Sequence, residues 1–319
     1  MKSQNKIALI TGATGFIGSN LCRRLLNLGY QVHILSRKGS HTWRLDDILE
    51  RLRNHVADLR DRENLFTVIK KIRPDYIFHL ATAGIYAGIH LPAKDLIEIN
   101  TIGLVNLLEA CNQCDYTAFI NTGSSSEYGL KDKIMNEEDV CHPLNAYGIS
   151  KYAATLYASF TAKTQSHPII TLRLFSPFGP YDDKSRFVTY AIIQAMRGEE
   201  MQLANPDSVR DFIYSEDVID AYINSMDKTS RHKGEIFNIG SGRESKISEA
   251  VSKILELTGS KSSVIWNAQS PRSWESVCWQ ADISKAKKLL GWQPKYDLNS
   301  GLIKTVAWFK KNQQFYANQ

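Results

Sequence analysis

The segment KIALITGATGFIGSNLCRRLLNLG sets the tightest limit on what this chain can become. A short apolar run ends in three glycines, Gly12, Gly15 and Gly18, and an amphipathic stretch begins inside them. Glycines at a strand-to-helix junction let the backbone turn tightly and approach a pyrophosphate. The helix start adds free N–H groups and the positive end of its dipole. The spacing is G-x-x-G-x-x-G, not the commoner G-x-G-x-x-G. A bare tight turn would look similar, but the placement favours a dinucleotide cradle made by Gly12, Gly15, Phe16, Ile17 and Gly18.

The first half continues in the same rhythm. YQVHILS, DYIFHLA, YTAFINTGS and IITLRLFSPFG read as short strands, separated by the helical ENLFTVIKKI, AKDLIEINTIGLVNLLEAC and NAYGISKYAATLYASFTAKT. Apolar strands divided by helices predict an α/β chain with a Rossmann-type, doubly wound parallel sheet covered on both faces. After residue 176 the rhythm breaks, with no linker rich in Pro, Gly or Ser. We expect residues 1–175 to bind NAD(P), with 212–240 returning to that unit. Residues 176–211 and 241–319 are expected to form a smaller α/β C-terminal substrate lobe.

Composition excludes other classes. The net charge of +6 comes from scattered basic residues, so nucleic acid is not an expected partner. No apolar run nears the roughly 20 residues that cross a bilayer, and the apolar core of the N-terminus is only IALI. Five cysteines without regular spacing suit reduced thiols in a cytoplasmic protein, and no metal-binding pattern appears. Cys111 and Cys114 form C-x-x-C at the end of an apolar helical run and read as structural thiols rather than a redox or zinc pair.

The second strand ends in HILSRKG, where an NAD site normally carries an acid for the ribose hydroxyls. Ser36 and Arg37, with Lys38, suit the extra phosphate of NADP instead, since guanidinium binds phosphate bidentately. NADP(H) is therefore favoured, with NAD(H) still open. Asp58, in VADLRD, is placed to reach the adenine amino group. In NAYGISK, Tyr147 and Lys151 project from one helix face, so an ammonium stands beside a phenol.

These residues resemble the extended short-chain dehydrogenase/reductase family of nucleotide-sugar epimerases, dehydratases and reductases. TGATGFIGSNL is similar to its cofactor turn. ADLRD, with Asp58 and Leu59, and FHLATAG, with Leu80 and Ala81, resemble its segments around adenine and the nicotinamide ribose. NTGSSSEYG, NAYGISK, VRDFIYSEDV and ADISKAKKLLGWQP follow in the family's order. The resemblance implies Tyr147 as acid/base, Lys151 on the nicotinamide ribose and lowering the phenol pKa, and Ser124 sharing the substrate oxygen.

Dehydratases resembling this chain carry an Asp-Glu or Ser-Glu pair directly after the catalytic Thr. Here Ser125 and Ser126 stand there, with Glu127 one place late and, on an alternating strand, facing away. Two reactions remain: NADPH reduction of the C4 keto group of an NDP-4-keto-6-deoxyhexose, favoured by Arg37, or NAD-dependent NDP-sugar 4-epimerisation. The family further implies Arg210 and Arg272 on the diphosphate, and Ser125, Ser126 and Ser176, the last standing where relatives often carry an Asn, are expected as substrate ligands. A non-catalytic NADP-binding regulator would typically have lost Tyr147. A homodimer through residues 93–113 and 146–165 is also a family expectation.

Overall fold

Alternation of short apolar runs with amphipathic stretches yields the seven strands of the main sheet, of which six come from the first 175 residues. They are β1 (Ile7–Thr11), β2 (Gln31–Ser36), β3 (Arg53–Val56), β4 (Tyr76–His79), β5 (Ala118–Ser124) and β6 (Ile169–Leu174), joined at one edge by Ile236–Ile239. The sheet runs β3-β2-β1-β4-β5-β6 and then Ile236–Ile239, with every pairing parallel. The structure, a computed structural model, describes residues 6–84, 91–268 and 278–317.

The helices are α1 (Phe16–Asn27), α2 (Arg62–Ile72), α3 (Ala93–Ile97), α4 (Gly103–Cys111), α5 (Ala146–Gln165), α6 (Phe187–Arg197), α7 (Ser215–Met226), α8 (Ile247–Thr258) and α9 (Leu298–Lys311). Strand residues alternate between two cores, as a period of two requires. Ala8, Ile10, Ala118 and Ile120 face one core with Leu21 and Leu25 of α1 and Val218 and Tyr222 of α7. Leu9 and Phe119 face the other, with Leu65 and Ile69 of α2, Leu104 and Leu108 of α4, and Ala158 of α5. Each such large apolar side chain contributes about 1.5–3 kcal/mol on burial, against 0–1 for an exposed ion pair such as Lys94–Glu98. Burial decides the fold.

The C-terminal segment returns to the first core, where Trp292 is fully buried and its indole N–H donates to the Asp217 carbonyl at 2.9 Å. A third core holds the lobe, with Ile192 of α6, Ile254 of α8 and Phe309 of α9. The parallel pair Ser176–Phe178 and Phe212–Tyr214 lies between the lobe and the sheet.

Two local departures from the sequence expectation matter below. The long helix over AKDLIEINTIGLVNLLEAC is interrupted by a π segment, Glu98–Ile102, between α3 and α4. A π turn adds one residue to the repeat and is often found at functional sites. Here it carries Asn100, which is buried. Strand β5 also ends at Ser124, and Ser125–Glu127 forms a 3-10 turn capped by the Ser124 side chain.

Candidate active site

The strand order turns back at β1, whose neighbours are β2 and β4, and such a switch point opens a crevice at the strands' carboxyl ends. The chain leaving β1 and the chain leaving β4 touch there. Gly12 has φ of +73°, and a Cβ on it would lie 2.5 Å from the Leu80 carbonyl carbon and the Ala81 nitrogen. Ala81 N–H donates to Thr11 Oγ1 at 3.2 Å and Leu80 N–H to the Thr11 carbonyl at 3.0 Å. A Cβ on Gly18 would stand 2.2 Å from the Gly12 carbonyl oxygen. Gly15 is the N-cap of α1, and no side chain caps that end. The first-turn N–H groups therefore point into the crevice with the dipole behind them. A dinucleotide pyrophosphate fits this cradle. Ile17 packs into the first core, while Phe16 is half-buried at the rim.

At the other end of the crevice, Ser36 closes β2 and donates to Asn54 Oδ1 at 2.7 Å, while Arg37 and Lys38 are exposed. Asp58 is half-buried and its carboxylate accepts from Arg60 N, Nε and NH2 at 2.9, 3.0 and 2.7 Å. The Arg60 guanidinium holds this carboxyl below its usual range, and Arg37 adds to the effect. Leu59 is buried against Gly103.

The catalytic candidates meet at the start of α5. Asn145 caps the helix by accepting from Gly148 N–H at 2.8 Å. Tyr147 follows in the first turn, half-buried, and Lys151 lies one turn on, buried. The Ser150 hydroxyl donates to the Tyr147 carbonyl at 2.8 Å and accepts from Asn100 Nδ2 at 2.9 Å. Asn100 is itself fixed, since its Oδ1 accepts from Ala83 N–H at 2.7 Å and its Nδ2 also donates to the Ala83 carbonyl at 2.9 Å. A Cβ on Gly148 would lie 2.6 Å from the Ser126 carbonyl oxygen, so the Tyr147 turn packs directly on the turn after Ser124. Ser124 Oγ accepts from Ser126 N–H at 3.2 Å, Ser125 is buried, and Ser126 lines a cleft with Gly129, Leu144, Asn145 and Trp279.

Burial pulls the Lys151 ammonium down to about 8, with Glu127 acting in the opposite direction. His79, at the end of β4, accepts or donates to Thr11 Oγ1 through Nδ1 at 2.8 Å and is pulled down to about 3 by burial and by Lys151. It stays neutral.

Glu127 does face away from the cleft, but not because a strand alternates. Its segment is a 3-10 turn, and the side chain is drawn into the interior by Arg173, whose Nε and NH2 donate to Oε2 at 3.0 and 2.8 Å. Asn100, His79 and Arg173 were not among the residues singled out in the sequence, and Glu127 was noted only as an acid one place late. Arg173 alone had a signal: a charge inside the apolar run IITLRLF demands a buried partner.

Beyond β6, Ser176 is half-buried and its N–H donates to the Asp211 carbonyl at 3.0 Å. Asp211 is fully buried and accepts from Ser241 Oγ at 2.7 Å and from the N–H groups of Gly242 and Ala281 at 3.1 and 3.0 Å, which makes it a structural tie. Burial still raises it to about 6. Arg210 NH1 donates to the Val209 carbonyl at 2.6 Å, and its guanidinium lies 5.2 Å from the ring centroid of Trp279. Because Trp279 also lines the Ser126 cleft, it places Arg210 at the cleft's border. Arg272 lies outside the described residues. Cys111 is buried and Cys114 half-buried, both as free thiols. Among the described residues no three His, Cys, Asp or Glu side chains gather as a metal site, and no helix is long and apolar enough to cross a membrane.

The chain is similar to known proteins over nearly its whole length. A UDP-glucose 4-epimerase of Mycolicibacterium smegmatis is 27% identical, covering 96% of this chain and 99% of its own. The crystal structure of a UDP-glucose 4-epimerase with UDP-glucose from Thermotoga maritima superposes with a TM-score of 0.88 at 29% identity, covering 96% of this chain and 99% of that one. A dTDP-glucose 4,6-dehydratase from Bacillus anthracis in complex with NAD superposes at 0.86 with 25% identity, covering 97% and 98%. The glycine cradle, the Tyr147–Lys151 turn and a family model matched over residues 8–240 lead to one conclusion: the chain belongs to the NAD dependent epimerase/dehydratase family of enzymes.

Proposed function

We propose that this chain is a nucleotide-sugar 4-epimerase working with NAD held in the glycine cradle. The observation that carries the reading is the commitment of Glu127 to Arg173. With that carboxylate committed to Arg173, the two positions directly after Ser124 are serines, and neither supplies an acid to eliminate water. What remains is a phenol beside an ammonium, enough to move one proton. The end-to-end likeness to UDP-glucose 4-epimerases supports epimerisation over reduction.

Each residue then has a defined task. Gly12, Gly15 and Gly18 admit the pyrophosphate, and the α1 N-terminus faces its charge. The nicotinamide, when bound, supplies acceptance and return of a hydride at sugar C4. Tyr147 takes the proton of the 4-hydroxyl and later gives it back. Ser124 shares that oxygen, and Lys151 favours the phenolate. Arg210 and Arg272 hold the diphosphate, and Ser176 meets the sugar.

A second reading, reduction of an NDP-4-keto-6-deoxyhexose by NADPH, keeps one specific observation: Ser36, Arg37 and Lys38 close β2 with no carboxylate. One experiment separates the two. UDP-glucose and UDP-galactose are incubated with the protein and a trace of NAD, and the anomeric signals are followed by proton NMR. Interconversion without net NADH supports the epimerase. Stoichiometric NADPH consumption by a 4-keto sugar, with no interconversion, hands the site to the reductase. Tyr147→Phe should slow either reaction by about 10²–10⁴-fold while nucleotide binding persists.

A second copy of this chain is the proposed partner of the outer faces of α3 to α5. Ile97, Ile102, Ile149, Leu156 and Phe160 are all exposed there. Sedimentation showing only monomer at micromolar concentration would remove this proposal.

A further inference from the structure

Beneath the acid/base turn lies a charge pair that no step of the reaction touches. Glu127 is fully buried where three elements meet. Its Oε1 accepts from the Ser124 backbone N–H at 2.7 Å and from the Thr155 hydroxyl at 3.1 Å, while Oε2 takes both bonds from Arg173. Thr155 is one turn beyond Lys151 on α5, so Glu127 addresses the helix face that carries the lysine. Arg173 lies 4.3 Å from the Tyr128 ring centroid, and the Tyr128 hydroxyl donates to Asn238 Oδ1 at 2.8 Å.

A carboxylate taken wholly out of water is costly, and paired burial repays this only when the geometry is good. A glutamine there would still serve Ser124 and Thr155. Only an ionised carboxylate also balances Arg173 and gives a nearby ammonium a counter-charge.

Among the described residues, the other groups around Lys151 supply none. His79 of β4 is neutral, and the Asn100 amide is uncharged and bonded to Ala83 and Ser150. Tyr147, on the same helix, is a phenol. Arg173 of β6 is a cation already paired. Tyr128, Cys141 and Tyr152 beside it are all shifted upward by burial and stay neutral. Burial drives Lys151 toward its neutral form, and Glu127 opposes that.

We propose that Glu127 is a positioning residue for the acid/base site: it fixes Ser124 through the backbone and keeps the Lys151 ammonium charged beside Tyr147. The inference rests on the reading of Tyr147, Lys151 and Ser124 given above. Without Glu127 the lysine would lose the counter-charge that opposes its burial and would favour the phenolate less.

The test reads the lysine directly. Protein labelled with carbon-13 and nitrogen-15 at lysine is titrated by NMR without nucleotide, and the Lys151 signal is assigned by its loss in Lys151→Met. In Glu127→Gln the Lys151 midpoint should fall by at least about one pH unit. The alkaline limb of kcat should move down with it, while the KM for the sugar nucleotide stays within about twofold.

If Glu127→Gln does not fold, Glu127→Gln with Arg173→Met removes both members of the Glu127–Arg173 pair, so neither is left alone. Removing Arg173 can only raise the Lys151 midpoint, so a fall in the double variant belongs to Glu127. A midpoint that does not fall in the variant that folds overturns the inference. Should the wild type turn over no nucleotide sugar at all, the proposed reaction fails, but the NMR titration still judges Glu127.

Discussion

The phosphate turn and the floor under Tyr147 lie at the same carboxyl edge of the sheet and are held in opposite ways. The turn works through atoms that are missing: Gly12 and Gly18 leave no room for a Cβ against Leu80, Ala81 and the Gly12 carbonyl. The floor works through atoms that are paired: Glu127, Arg173, Thr155 and the Ser124 N–H share one carboxylate. A turn of the first kind is sensitive to any added volume and indifferent to pH. A floor of the second kind tolerates changes of shape better than an unbalanced charge. The two regions should therefore fail differently.

The largest expected failure is in the floor. Arg173→Met leaves the buried Glu127 carboxyl without its partner, which should cost about 3–5 kcal/mol of stability. Adding Glu127→Gln should restore most of that loss, because the pair as a whole contributes little net stability. Urea unfolding of the three proteins measures it. A mild single variant with no recovery in the double would show that packing, not charge balance, holds the floor.

Lys151 sharpens the same contrast through its sign. The unfolded chain keeps this proton up to about 10.5, while the folded chain releases it near 8. Between those values the unfolded state binds more protons, so wild-type stability rises with pH across that window, and below it the full cost of the buried ammonium applies. Lys151→Met should therefore be the more stable protein at pH 7, by up to about 3 kcal/mol, with the gap closing by about pH 10.5. Unfolding free energies at pH 7, 9 and 10.5 check this. A gap that widens with pH would mean that Lys151 does not titrate as a buried cation.

The same contrast explains what the sequence could disclose. Gly12, Gly15 and Gly18, and the Tyr147–Lys151 spacing, are constraints inside a few residues, and both were legible. Arg173 and Glu127 are 46 positions apart, and nothing local announces their bond. Only the misfit of a charge in an apolar strand hinted at it. Face alternation failed beyond Ser124 because Ser124 caps a 3-10 turn, where a period of two no longer applies. Asn100 was hidden for a similar reason: the π segment rotates it into the interior, whereas a regular amphipathic reading runs straight through it. The Asp58 carboxylate, read as an adenine contact, is held by Arg60 two residues on.

The smallest expected effect on the fold separates two glycines of one motif. A Cβ at Gly18 meets the Gly12 carbonyl oxygen at 2.2 Å, and that oxygen belongs to backbone that also accepts from Gly15 N–H at 3.0 Å. It cannot swing away without opening the turn, so Gly18→Ala should cost about 1–3 kcal/mol and weaken nucleotide binding with it. A Cβ at Gly15 meets only that same oxygen, at 3.2 Å, and otherwise open space at the helix N-terminus. Gly15→Ala should therefore cost the fold under about 1 kcal/mol, chiefly as a poorer N-cap. Its methyl would stand on the side from which the pyrophosphate approaches, so NAD affinity should fall about tenfold, or 1.4 kcal/mol. Urea unfolding and a fluorescence titration with NADH, run on both variants, read the two quantities separately. If Gly15→Ala lost stability and affinity in the same proportion as Gly18→Ala, the glycines would act only as turn-formers. Stability kept and affinity lost would mark Gly15 as the residue whose missing side chain makes room for the ligand.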